Sequence, residues 1–344
     1  MFIPILGVVV LLIVVLQAIV YAKLWDRNLK VSFRFSGKEA FVGDALTLHA
    51  EVENKKMLPL PWLVMGYELS EYLSFDDEVE MGRSEKQTVF TIMGYRRVRR
   101  KMRFICTRRG VYRLRRIRLN ASNLLHTQSF AKDIICATEL TVFPKLLDDY
   151  EDLSFIINHV DAMLTVRALI NPDPFTFRGI REYTTYDPLR CINFKATAVA
   201  GELMVNIYAP TSSKELEIIL DLAHPPEHTP DDVFEHAISL AATLAQKYLN
   251  EEVKVGLMTN GRSALDGLQP RLFCGEGSAQ LLAVYHLLSQ LGIAFHSAAI
   301  TGALAEIYDT SKVYAIISTN QNENLTAAVV EMKNRGLEVM VVPC

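Results

Sequence analysis

The first contrast along the chain is between a block without charge and everything after it. Phe2 to Ala22 holds 21 residues, mostly Leu, Val and Ile, with no Lys, Arg, Asp or Glu. As a helix this run reaches about 31 Å at 1.5 Å per residue, the thickness of a bilayer's hydrocarbon core, so a transmembrane helix over 2–22 is expected. From residue 31 to about 145 the pattern has period two. Val31-Ser32-Phe33-Arg34-Phe35 and Leu46 to Val52 alternate apolar and polar positions on either side of Gly43-Asp44, which predicts two strands joined by a turn. Tyr112-Arg113-Leu114 and Ile117-Arg118-Leu119 keep the alternation with a slip of phase between them, the mark of a bulge or tight turn. Leu140 to Phe143 closes the series before Pro144. An antiparallel β-sandwich-like domain over 31–145 is the simplest architecture.

In the last third the period changes again. Apolar strands at Leu216–Leu220, Val253–Met258, Val313–Ile317 and Leu337–Val342 alternate with amphipathic stretches at Ser278–Leu291 and Glu323–Arg335. A further helix opens at Thr229-Pro230-Asp231-Asp232, with Phe234, Ala237, Ile238, Ala241, Leu244, Ala245 and Tyr248 as its buried stripe. The expected fold is therefore α+β and multidomain: the helix, the sandwich, a connecting helix and polar segment over 146–212, and a doubly wound α/β domain over 213–344. Asp148-Asp149-Tyr150-Glu151-Asp152 is expected to open the connecting helix, since acids favour a helix amino terminus.

Composition narrows the class. With 344 residues, 50% hydrophobic, and a net charge of −3, the chain can bury two cores and is not disordered as its main state. Its mean hydropathy is only slightly positive, which excludes a polytopic transporter but allows one lipid-embedded segment. Five cysteines, widely spaced and without a C-x-x-C pair, argue against a disulfide scaffold and fit a reducing compartment. A cleaved signal peptide competes with a retained anchor, because Val20-Tyr21-Ala22 is a tolerable cleavage pattern; the lack of any Lys or Arg before the apolar run favours the anchor. Lys23, Arg27 and Lys30 follow it, so the positive-inside rule puts the amino terminus outside, the bulk of the chain in the cytoplasm, and Trp25 at the interface of a single-pass protein of the cytoplasmic membrane.

Between Tyr95 and Arg118 stand twelve Lys or Arg residues and no acid, while Glu68 to Glu80 carries six acids and no base. The simplest account pairs these neighbours across adjacent strands. Contact with anionic lipid headgroups is the second reading. Nucleic acid is not an expected partner, since the strands offer no recognition module and the net charge is negative.

The stretch richest in candidate chemistry is Arg178-Gly179-Ile180-Arg181-Glu182-Tyr183-Thr184-Thr185-Tyr186-Asp187-Pro188-Leu189-Arg190, followed by Asn193-Phe194-Lys195 and Gly201. Arg178, Arg181, Arg190 and Lys195 could pair with Glu182 and Asp187, the guanidiniums in bidentate fashion, to make a structural latch. No nucleophile with a neighbouring base, Walker sequence, G-x-S-x-G or H-E-x-x-H is present, so the expected function is not enzymatic; a hydrolase would have to use Glu182 or Asp187 as acid or base.

This stretch resembles the signature of the domain of unknown function 58 family, Arg-Glu-Tyr, then Gly-Asp, then Arg-x-Ile-Asp-Trp-Lys. Phe41-Val42-Gly43-Asp44, Asn54 with Leu58-Pro59-Leu60-Pro61-Trp62, and Arg108-Arg109-Gly110-Val111-Tyr112 are also similar to that family's upstream region. Tyr186 stands in place of the family's usual glycine, Asn193 of the aspartate, Phe194 of the tryptophan and Val199 of an arginine, which marks a divergent member. The resemblance implies a membrane-anchored β domain, a von Willebrand factor A-like α/β domain and association with a MoxR-type AAA+ ATPase. In such a fold Mg²⁺ would sit on Asp-x-Ser-x-Ser; here Asp221-Leu222-Ala223-His224-Pro225 lacks both hydroxyls, leaving Asp221 a weak metal candidate and no cofactor expected. His224 and His228 have ligand types for zinc but read better as part of a solvated loop.

The reading these features favour is a membrane-anchored, non-enzymatic adaptor that binds a MoxR-type ATPase, and possibly other membrane proteins of the same assembly, through Arg178, Gly179, Arg181, Glu182, Tyr183, Asp187, Arg190, Lys195 and Gly201. It would assist assembly or maturation of an envelope or metalloenzyme complex. A membrane-structural protein contacting anionic lipid is the alternative. Loops at the carboxyl ends of the α/β strands, Asp221–His228, Asn260–Arg262, Gly275–Ser278 and Ser318–Asn322, are expected to share one surface.

Overall fold

The computed structural model describes residues 2–75, 85–147, 151–170, 172–210, 214–223, 230–292, 299–320 and 322–344. The chain divides into two compact units, Met1–Lys145 and Leu146–Cys344.

The first unit begins with α1 (Phe2–Leu24), which is long and apolar enough to cross a membrane. It continues two residues past Ala22, and Trp25 still donates its backbone N–H to the Tyr21 carbonyl. Among the described residues nine strands follow: β1 (Leu29–Phe35), β2 (Glu39–Phe41), β3 (Ala45–Asn54), β4 (Leu60–Glu68), β5 (Leu73–Phe75), β6 (Glu85–Ile92), β7 (Arg97–Cys106), β8 (Gly110–Ser122) and β9 (Ser129–Phe143). They form one sheet ordered β1-β3-β7-β5 and another ordered β2-β9-β8-β4-β6. Period two is visible in the burial: along β3, Leu48, Ala50 and Val52 are buried while the residues between them are only partly so. The inner faces meet in one core. Phe104 lies against Phe35 and Phe75, and Tyr67 packs on Phe33 while its hydroxyl reaches Thr88 and the Met102 sulfur. The phase slip is a register shift of β8 against β9 between Leu114 and Arg116. The Gly43 turn needs a positive φ of 100°, and Asp44 closes it by accepting the Phe41 N–H.

One expectation needs correction here: the sandwich is not wholly antiparallel. β2 pairs in parallel with β9, because this three-residue edge strand joins one sheet before the chain turns at Gly43 and enters the other as β3.

The second unit contains α2 (Glu151–Ile170), the antiparallel pair β10 (Pro172–Glu182) and β11 (Met204–Pro210), and α3 (Phe194–Ala200) between them. Then come β12 (Glu215–Asp221), α4 (Asp231–Asn250), β13 (Lys254–Thr259), β14 (Arg262–Ser263), β15 (Arg271–Gly275), α5 (Gly277–Gln290), β16 (Leu291–Gly292), α6 (Thr301–Ala305), β17 (Val313–Ser318), α7 (Glu323–Asn334) and β18 (Glu338–Pro343). The main sheet is ordered β15-β13-β12-β17-β18 and is parallel except for β15. Successive strands move outward from β12 on one side and then resume on the other, so chain direction reverses at β12. Ile219, Met258, Tyr314 and Ile316 pack with Leu304 of α6 and with Leu325, Val329 and Met332 of α7. All seven residues of the expected α4 stripe are buried.

Phe104 is fully buried between two aromatic rings, so Phe104→Ala is expected to cost about 3–5 kcal/mol, whereas removing exposed Arg99 leaves the unfolding midpoint in place. Urea unfolding of the detergent-solubilised chain measures both. A second prediction concerns Lys56, whose ammonium is buried without a hydrogen-bond partner and is pushed down to about 8, chiefly by burial. Its folded value lies below the ordinary 10.5, so the unfolded chain holds the extra proton between these values. Stability therefore rises as pH increases through about 8 towards 10.5 and is lost as pH falls. Lys56→Met should abolish that slope in thermal unfolding and raise the midpoint at neutral pH.

Candidate docking module

The signature stretch folds as an excursion between β10 and β11. The strands bring Ile180 opposite Asn206, Arg181 opposite Val205 and Glu182 opposite Met204. The excursion is stitched to this ladder at both ends: the Tyr183 N–H donates to the Leu203 carbonyl, and the Asn193 N–H donates to that of Met204. Asn193 caps α3, its side-chain oxygen accepting from the Ala196 N–H at 2.9 Å while Nδ2 donates to Asn206 Oδ1 at 2.7 Å. As an asparagine, residue 193 can accept at the helix cap and donate to Asn206 at once. Gly201 ends the helix in the left-handed region at φ 77°, and Thr197 Oγ1 accepts from the Met204 N–H.

Inside the excursion one ion pair closes the loop. Arg181 grips Asp187 in bidentate fashion, Nη1 to Oδ2 and Nη2 to Oδ1, both at 2.6 Å. Thr184 adds its backbone N–H and its hydroxyl to Asp187 Oδ2, each at 2.8 Å. The Arg181 guanidinium and then these two bonds hold the Asp187 carboxyl well below the usual carboxylate range. So placed, Asp187 is a clamp and a poor proton carrier. The wider latch expected from the sequence is not formed: among the described residues, Arg178, Glu182, Arg190 and Lys195 make no ion pair and are exposed. The fixed geometry of the loop leaves them to solvent.

The sequence pattern did not foretell the exposure of apolar groups here. Tyr186 is 96%, Val199 86%, Phe194 77% and Leu189 71% exposed, and Ile180 and Leu203 are exposed as well. Among the described side chains of the module only Val205 is buried. These exposed aromatic and aliphatic side chains and the exposed cations stand on a backbone stitched by hydrogen bonds.

At the carboxyl ends of β12, β13 and β17 the polar groups serve each other. Asp221 is buried, with Oδ1 accepting from Asn260 Nδ2 at 2.6 Å and the Ala223 N–H at 3.1 Å, and Oδ2 accepting from Ser318 Oγ at 2.9 Å. Asn260 in turn accepts the Leu222 N–H. Among the described residues no group of three His, Cys, Asp or Glu could hold a metal; His224, Pro225 and His228 lie outside the described residues. Gly275–Ser278 does not join this end. β15 runs antiparallel to β13, with Gly275 opposite Val255, and so carries that loop to the amino end of the parallel strands. A charged cluster at that end escaped the sequence reading. Glu217 is buried and paired with Arg271 at 2.9 Å and Lys312 at 3.2 Å, and its trace in the sequence is the one acid inside the apolar run Leu216–Leu220.

Five arginines of the basic stretch have described partners outside the acidic run. Arg97 and Arg99 of β7 pair with Glu51 and Glu53 of β3; Arg113 of β8 pairs with Glu139, and Arg116 and Arg118 with Asp133, on β9. Register decides these pairs, since β7 lies beside β3 and β8 beside β9. Residues 76–80 of the acidic run lie outside the described residues.

No family model matches the chain, and no curated protein matches it. Among solved structures it is similar to a type I cohesin from Pseudobacteroides cellulosolvens at 13% identity, with 35% of this chain and 97% of that one covered and a TM-score of 0.23. A non-cellulosomal cohesin from Archaeoglobus fulgidus follows at 11% identity, 37% and 97% coverage and a TM-score of 0.23. A CARDB domain from Pyrococcus furiosus has 11% identity, 34% and 90% coverage and a TM-score of 0.23. Likenesses this slight carry no functional inference.

If the clamp orders the excursion, Asp187→Ala should increase tryptic cleavage at Arg181 and Arg190 while leaving the global unfolding midpoint unchanged, because the loop lies outside the core. The depressed Asp187 value means that the clamp is complete above the ordinary 3.8 and is lost only as pH falls below it.

Proposed function

We propose that the protein is a membrane-anchored, non-enzymatic adaptor whose second unit, a von Willebrand factor A-like domain by resemblance, presents the β10–β11 excursion to a MoxR-type AAA+ ATPase. On this reading α1 spans the cytoplasmic membrane with its amino terminus outside, and the ATPase cycle is coupled to assembly or maturation of an envelope or metalloenzyme complex. The observation that carries the proposal is the exposure of Tyr186, Leu189, Phe194 and Val199 on a backbone held by Arg181 and Asp187. Aromatic groups presented on a rigid frame lose little conformational entropy on binding, and the unpaired Arg178, Arg190 and Lys195 beside them suit an acidic partner surface. The choice of an ATPase rests on the resemblance of the signature residues.

Co-purification from native membranes tests it. The intact chain is expected to retain a AAA+ ATPase, and Phe194→Asp, a change at an exposed position, to lose at least about tenfold of that retention. Retention unchanged in Phe194→Asp would remove the excursion as the docking surface. Failure of the intact chain to retain any ATPase with either ATP or ADP would remove the partner.

A further inference from the structure

At the end of the sandwich where α1 enters, three turns come together: residues 55–59 after β3, 93–96 after β6, and 123–128 between β8 and β9. The helix is fastened to this end by four contacts. Tyr21 donates its hydroxyl to the Pro59 carbonyl at 2.8 Å, and Trp25 stacks on Phe130 at 5.9 Å. Lys132 pairs with Asp26 at 2.8 Å, and the Lys55 N–H donates to the Asn28 carbonyl at 2.9 Å. Along α1 the covered positions are Val14, Gln17, Ala18, Val20 and Tyr21; all but Val20 follow the i, i+3, i+4, i+7 stripe of one face, which leads to Trp25. That stripe begins ten residues before Leu24, about 15 Å back along the helix.

These turns and the start of β4 carry exposed apolar side chains: Met57, Trp62, Met93, Tyr95, Leu124 and Leu125. They are held in place. Buried Asn54 donates to the Leu58 and Met93 carbonyls, and Asn123 accepts from the Thr127 and Gln128 N–H groups, fixing the turn that bears Leu124 and Leu125. His126, in the left-handed region at φ 57°, lies against the Trp62 ring. Lys23, Arg27, Lys55 and Arg96 are exposed around this rim.

We propose that this rim is seated in the lipid interface around α1, its apolar side chains in the acyl boundary and its cations at the headgroup phosphates. Trp, Tyr, Met and Leu flanked by Lys and Arg is the chemistry of a membrane–water boundary. A surface fixed to the end of an apolar helix has that boundary as its nearest neighbour. The rim is distinct from the unpaired cations Lys101 and Arg103, which stand about 13–20 Å further along β7 than Arg97 and so point away from any bilayer around α1. The inference rests on α1 being a span, and the test separates the two.

The chain has only two tryptophans, Trp25 and Trp62. With Trp25→Phe, Trp62 is the sole reporter in the full chain, reconstituted in phosphatidylcholine vesicles whose acyl chains are brominated either near the headgroup or deep. Subtracting the Trp62→Phe signal from wild type gives the same quantity without disturbing the Trp25 stack. A third variant, Trp25→Phe with Trp62→Phe and Leu11→Trp, reports on the helix itself. The expected result is a blue-shifted Trp62 emission that loses most of its intensity to shallow bromine, with Leu11→Trp quenched by deep bromine. Quenching of Leu11→Trp alongside a water-like, unquenched Trp62 would overturn the seated rim and leave the span standing. Quenching of neither would overturn the span and the rim together.

Discussion

A sheet with an apolar face must find a second layer, and the number of apolar faces decides which layer it finds. In the first unit a strand such as β3 hides every second residue, so two sheets can close on each other; Leu48, Ala50 and Val52 lie inside and Thr47, His49 and Glu51 outside. In the second unit β12, β13 and β17 are buried on both faces, and helices cover them. The docking module obeys neither rule. Its β10–β11 pair is a two-stranded ribbon with one buried residue among its described side chains, and its order comes from polar contacts.

Charge is used differently in the three regions. On the sandwich, Arg97, Arg99, Arg113 and Arg118 meet acids across neighbouring strands at exposed positions, where such pairs set register more than they add stability. In the α/β sheet, Glu217 is buried and needs both Arg271 and Lys312 to offset its desolvation. In the module, the Arg181–Asp187 pair is exposed, yet two further donors from Thr184 converge on the same carboxylate, which makes it a geometric clamp.

The strand-end cluster around Asp221 is a network among the fold's own groups. Its carboxylate already accepts from Asn260, Ala223 and Ser318, all within the fold. These hydrogen bonds tie β12 to the ends of β13 and β17.

Residue periodicity by itself determined most of the fold, because period is a local property that burial must respect. The apolar block before Lys23, the alternation from Val31 onward, the slip after Leu114, the α4 stripe and the four parallel strands are all readable without a neighbour. The signature stretch could likewise be picked out as a concentration of ions. What only the tertiary structure decided is who faces whom. Register chose Glu51, Glu53, Glu139 and Asp133 as the arginines' partners, the antiparallel course of β15 moved Gly275 to the opposite end, and β2 took a parallel place at an edge. The structure also reduced the expected latch to Arg181 and Asp187 among the described residues, and exposed Phe194 and Tyr186. Pairing and exposure depend on residues tens of positions apart, and a pattern with a range of four residues carries no record of them.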